Sequence, residues 1–302
     1  MVVGVWTARS ETHRTGVLDR VLLFGPVFLA APMAVFGMDH FFEAQGVSRA
    51  VPSWMPWHMF WTYFVGVALI CAAVSIVLKR YVGLSAFLLG IMFLLFEALM
   101  HIPNIFRSPH ARIAWNIGLR DINFAAGALA LAITQTDEWQ RSGTHRFLWV
   151  PRFLIGIPMI VFGIEYFFYP LLVPGIPLRI NMPDWIFARP VWNYATGIIE
   201  VITGVCLLIN RKARLAATWL GITVLLVVLF LYVPIMVVNA TSIDNGLNYV
   251  MDTLALSGAA LLLARSLSPK GANQPAAASQ GSMGTQLHSD GPGPAKPVSL
   301  SS

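Results

Sequence analysis

The chain has 302 residues, 57% of them hydrophobic and 11% charged, where soluble domains carry about 25% charged residues. That balance excludes a soluble globular domain and describes a polytopic membrane protein. The formal charge of +6 sits mostly in short basic clusters between apolar runs, a loop bias that needs no nucleic-acid partner, and the two cysteines, Cys71 and Cys206, offer neither a disulfide framework nor a CxxC motif.

Residues 1–17 read as a short polar tail. The first apolar run lacks a convincing small-residue cleavage site and reads as a retained span from about 18 to 42, kinked at Pro26 and Pro32. A loop with Trp54 and Trp57 leads to a second span near 58–78, closed by Lys79 and Arg80. The third is expected near 82–102, ending at His101-Ile-Pro103-Asn104, and the fourth near 117–134. Four more follow near 152–172, 191–210, 214–237 and 247–264. Each is close to the roughly 20 residues that cross about 30 Å of hydrocarbon as a helix. Residues 268–302, rich in Ser, Gly, Pro, Ala and Gln, read as a disordered tail.

The second four spans echo the first. Trp54 corresponds to Trp185, Tyr63 to Tyr194, Gly66 to Gly197, Pro103 to Pro234, Asp121 to Asp252 and Gly127 to Gly258, all 131 residues apart. Phe36-Gly-Met-Asp-His-Phe and Phe162-Gly-Ile-Glu-Tyr-Phe are 126 apart, so the second copy gained five residues, around Pro174-Gly-Ile-Pro177. The expected fold is all-α and membrane-spanning: two tandem parallel four-helix-bundle repeats, over residues 18–135 and 147–265, related by an axis along the membrane normal. The positive-inside rule puts both termini in the cytoplasm, as a multi-pass protein of the inner membrane.

That topology sends Asp39, His40 and Glu43 from the first span, His58 from the second, Glu97 and His101 from the third and Asp121 and Asn123 from the fourth toward the same, outer leaflet. Ionisable groups are costly in hydrocarbon and need partners, water or an interface. The second copy replaces His40, Glu97 and His101 by Tyr166, Val228 and Tyr232. Asp39, His40, Glu97 and His101 are therefore the candidate catalytic set, with histidines as acid–base groups for a quinone whose reduction takes up protons. Three other readings stand beside it. Asp39, His40, Glu43, Glu97 and His101 offer oxygen and nitrogen donors to iron, zinc or manganese, and His40 and His101 to a haem, though no metal or haem signature is present. The acids suit a translocation route for a proton or small solute. A polar network that only ties four helices together, as a scaffold, accounts for them too; Asp121 and Asp252 then simply pair with Arg120 or cap a helix.

Gly-Met-Asp39-His40-Phe, the Pro52-Ser-Trp-Met-Pro56 loop, Tyr63-Phe-Val-Gly66 and His101-Ile-Pro-Asn104 resemble segments of the DoxX family of small membrane proteins. Tyr194-Ala-Thr-Gly-Ile-Ile-Glu200 looks like the family's glycine-and-glutamate segment, with Leu69 in place of the acid in the first copy. The resemblance covers about residues 18–265 and implies a duplicated four-helix unit. It also implies association with a redox system and a redox partner protein, without naming catalytic residues. Glu43, Asp121, Tyr63 and Glu200 complete the site as candidate cofactor-binding residues.

Overall fold

A computed structural model describes residues 17–135, 144–238 and 243–267; the two tails read from the sequence, residues 1–16 and 268–302, lie outside them. Among the described residues are eight helices long and apolar enough to cross a membrane. The protein is all-α and multi-pass. α1 (Gly25–Phe42) follows a short helical segment, Val17–Leu22, and carries Pro32 inside it. Then come α2 (His58–Val77), α3 (Val82–Arg107), α4 (Arg112–Gln135), α5 (Trp149–Phe168, with Pro158 inside), α6 (Arg189–Leu208), α7 (Ala213–Val238) and α8 (Ile243–Ser266).

The end of α3 and the start of α4 each lie five residues from the sequence expectation. α3 does not stop at Pro103 but widens into a π turn at Glu97–His101 and continues to Arg107. The wider turn accommodates a proline that has no N–H to donate to the preceding turn. α7 does the same at Val228–Tyr232, ahead of Pro234. α4 begins five residues early, at Arg112, because that side chain is anchored in the protein rather than left at the surface.

Consecutive helices pack side by side, α1 on α2, α2 on α3, α3 on α4 and α4 on α5, and likewise from α5 to α8, where α8 returns to α1. α4 and α8 also pack against each other through the middle. They are the most buried spans, and alanines line them: Ala125, Ala126, Ala128 and Ala130 on one, Ala255, Ala259, Ala260 and Ala264 on the other. Small side chains let helices approach where lipid removes the hydrophobic drive to associate. The helices do not separate into two four-helix bundles. α1 leans far more on α8 than on α4, and one apolar core runs through both halves. Two lobes result, α1 to α4 with α8, and α5 to α8 with α4.

Element positions recur along the chain. His58–Val77 is matched by Arg189–Leu208, Val82–Phe96 by Ala213–Val227, and the π turn Glu97–His101 by Val228–Tyr232. The left-handed residues Trp57, Lys79 and Tyr81 are matched by Ala188, Asn210 and Lys212. The clearest departure is the α5–α6 connection. Instead of running over the surface, its residues 172–178 are buried inside the second lobe. Asn193 donates to the Leu172 carbonyl (2.6 Å), and Arg112 and Asn116 of α4 donate to the Pro177 carbonyl.

The α5–α6 seam is among the tightest. A β-carbon at Gly163 would stand 2.6 Å from the main-chain oxygen of Gly197, and one at Gly197 2.7 Å from that of Gly163. Gly163→Val must therefore push the helices apart, at about 1–3 kcal/mol. Gly46→Ala, where nothing lies within 4 Å, serves as the control. Thermal unfolding in one detergent should show a lowered midpoint for the first variant and none for the second.

Candidate functional site

The first lobe encloses a cavity of about 950 Å³. Its mouth is formed by the segment between α1 and α2, with Trp54 and Arg49, and by Arg107 at the end of α3. Deeper, the wall is aromatic. The Phe36 and Phe124 rings stack at 6.1 Å between centroids, and Phe93 meets Phe124 edge-on at 5.5 Å. Such a cradle offers flat apolar faces to a ring of similar size. Leu69 of α2, only 2% exposed, is also part of the lining.

Polar groups enter from five helices. His101 Nε2, in the π turn of α3, donates to Asp121 Oδ2 of α4 at 2.9 Å. Asp121 Oδ1 accepts from Arg120 Nε at 2.9 Å, and Arg120 also donates to Asp252 Oδ2 of α8 at 3.1 Å. His101, Asp121, Arg120 and Asp252 thus form one continuous chain, and all four line the cavity. On the α1 side His40 Nδ1 donates to the Phe36 carbonyl at 2.7 Å. A neutral His40 then carries its lone pair on Nε2, which fixes it as an acceptor. Asp39 and His58 line the cavity as well.

Four of the eight residues singled out from the sequence, Asp39, His40, His101 and Asp121, thus meet at one cavity. Glu97 does not line it. Its carboxylate lies against α4, where a β-carbon on Gly118 would come within 2.9 Å, and its Oε2 has no hydrogen-bond partner among the described residues. Glu43 caps α1 and is exposed. Tyr63 stacks on Phe41 at 5.5 Å and is 41% exposed, which puts it on the outside of α2. Glu200 lies in the other lobe, fully buried on α6. Among the described residues no three His, Cys, Asp or Glu side chains converge to hold a metal ion.

Comparison with models of protein families, with curated proteins and with solved structures gives no match. The site therefore rests on its own geometry.

Sequence reasoning offered Arg120 as a partner for both Asp121 and Asp252, and both pairs are present. Arg112 and Asn116 were missed altogether, because their partner Glu165 and the Pro177 and Leu178 carbonyls are remote in sequence.

The charge chain generates a stability prediction. The Asp121 and Asp252 side chains are 7% exposed, and removing Arg120 leaves two close acids without their common cation. Breaking a buried ion pair from one side costs about 3–5 kcal/mol. Arg120→Gln should lower the unfolding midpoint strongly, and Arg120→Gln combined with Asp121→Asn and Asp252→Asn should regain much of the loss. Comparing the single and triple variants with the wild type in one detergent reads this coupling.

Proposed function

We propose that the protein is the membrane component of a redox system and that the first-lobe cavity binds a quinone. The observation that carries the reading is the combination at one cavity of an aromatic cradle with a hydrogen-bonded His101–Asp121 pair. A quinone ring can lie against these apolar rings, and its two oxygens need hydrogen-bond donors and, on reduction, protons. In this reading the Nε2–H of His101 stays on Asp121, the imidazolium form donates from Nδ1 to a quinone oxygen, and water entering through the cavity mouth returns the proton, while Arg120 holds the Asp121 charge in place. His40 Nε2 accepts from the hydroxyl of the quinol form. The electrons come from or go to a separate redox protein, so that one quinone, two electrons and two protons give one quinol.

The same proposal takes the chain as an internal duplication, two parallel four-helix repeats that share α4 and α8 between their lobes. The matched element bounds and matched left-handed residues support this. The quoted segments' likeness to the DoxX family belongs to the proposal on the strength of those residues alone, as do the inner-membrane location and the cytoplasmic termini, which rest on the basic-residue bias. A solute carrier or a scaffold is the alternative outcome of the test below.

Binding of decylubiquinone to the protein in lipid nanodiscs, followed by quenching of tryptophan fluorescence, should saturate at one equivalent. His101→Ala and Asp121→Asn should each weaken binding about tenfold, the loss of about 1.4 kcal/mol, while Arg211→Gln at the other end of the bundle leaves it unchanged. Equal, non-saturating partition into nanodiscs with and without the protein would remove the quinone reading and favour transport or scaffolding.

A further inference from the structure

The other lobe carries the more unusual acid. Glu200 is fully buried in the middle of α6, and neither carboxylate oxygen has a hydrogen-bond partner among the described residues. A polar group in that situation is costly and calls for a reason. Its neighbours are Tyr166 of α5 and Tyr232 in the π turn of α7, both within electrostatic reach. In the first half, the equivalent positions are Leu69, His40 and His101, and all three line the cavity.

What fills the second lobe is the chain itself. Gly175, with φ of +114°, turns so tightly into the helices that a β-carbon there would lie 2.8 Å from Thr253 Cγ2 and 3.7 Å from Val227 Cγ1. Its main chain lies beside Tyr166. Val173 packs in one cluster with Val227, Leu231 and Tyr232. The equivalents of these three, Phe96, Met100 and His101, form one wall of the open cavity. The far end of the segment is latched. Arg112 donates to the Pro177 and Leu178 carbonyls and to Glu165, and Asn116 donates to Glu165 (2.8 Å) and to the Pro177 carbonyl (2.8 Å). The five residues by which this copy exceeds the first supply the length.

We infer that the second lobe holds a copy of the cavity whose occupant is tethered: residues 172–178 fill it, and once they are withdrawn it takes a lipophilic molecule bearing hydrogen-bond-accepting oxygens. Arg112 and Asn116 are its donors, as they are for the carbonyls of the tether, and Glu200 is its buried acid. The inference rests on the internal repeat proposed above and is independent of the quinone.

Dicyclohexylcarbodiimide tests it on the full chain in nanodiscs. This lipophilic reagent adds the carboxyl O–H across a C=N bond and rearranges to a stable acylurea, with no leaving group, so each reacted carboxyl gains one reagent mass. The variants are Arg112→Ala with Asn116→Ala, which opens the latch, and deletion of residues 174–177, which shortens the tether; each is repeated with Glu200→Gln. Labelling of the Glu200 peptide should be slow in the wild type, at least tenfold faster in the latch variant and faster still in the deletion, and should vanish with Glu200→Gln. If the deletion chain does not elute as a folded species, the latch variant decides alone. Wild-type labelling as fast as in the folded latch variant would overturn the tethered-occupant account, whatever the first lobe binds.

Discussion

Arg120 holds the two halves of this protein together at the level of the cavity. It sits on α4, takes Asp121 on its own helix and Asp252 on α8, and lays its guanidinium 5.7 Å from the Phe124 ring centre. Two equivalent acids brought face to face would repel, and a single arginine supplied by one half alone satisfies both. Its equivalent in the second half is Met251, so the bridge is asymmetric by construction. Below it, Gly127 and Ala259 let α4 and α8 approach, a β-carbon at Gly127 falling 2.5 Å from that of Ala259. Polar bridge and small-residue seam fix the shared wall from which both lobes are built.

On the proposed duplication the two lobes differ at most aligned positions and by one insertion. The first keeps His40 and His101 and leaves space between them and the Phe36–Phe93–Phe124 cradle. The second replaces both histidines by tyrosines and closes over them with residues 172–178. Burial alone would not need an acid there, yet Glu200 has no hydrogen-bond partner among the described residues.

The spans were legible because membrane helices announce themselves by uniform apolarity, and the spacing of Pro103 and Pro234, Gly66 and Gly197, Asp121 and Asp252 was legible because those residues are rare in apolar runs. The π turns were not, since α and π geometry leave the same hydropathy. Nor was the exchange of neighbours between the halves, because the alanine faces of α4 and α8 look the same whichever helix they meet. At the site, Asp39, His40, His101 and Asp121 converged as their helix ends implied. Glu43 and Tyr63 share those ends but face outward, a matter of one or two residues of helical phase that the uniformly apolar spans do not encode. The insertion at 174–177 was visible as extra length, whereas its burial depended on Arg112 and Asn116 of another helix.

The central claim is that the first-lobe cavity receives a quinone ring while the second is filled by the chain. Diffraction from crystals grown with a bromine-substituted quinone tests it most directly, because the anomalous signal locates bromine without interpretation of the surrounding density. The account predicts one peak per chain, between Phe36, Phe93 and Phe124, with a quinone oxygen in hydrogen-bond reach of His101. A peak confined to the lipid-facing surface, or none at saturating quinone, would contradict it.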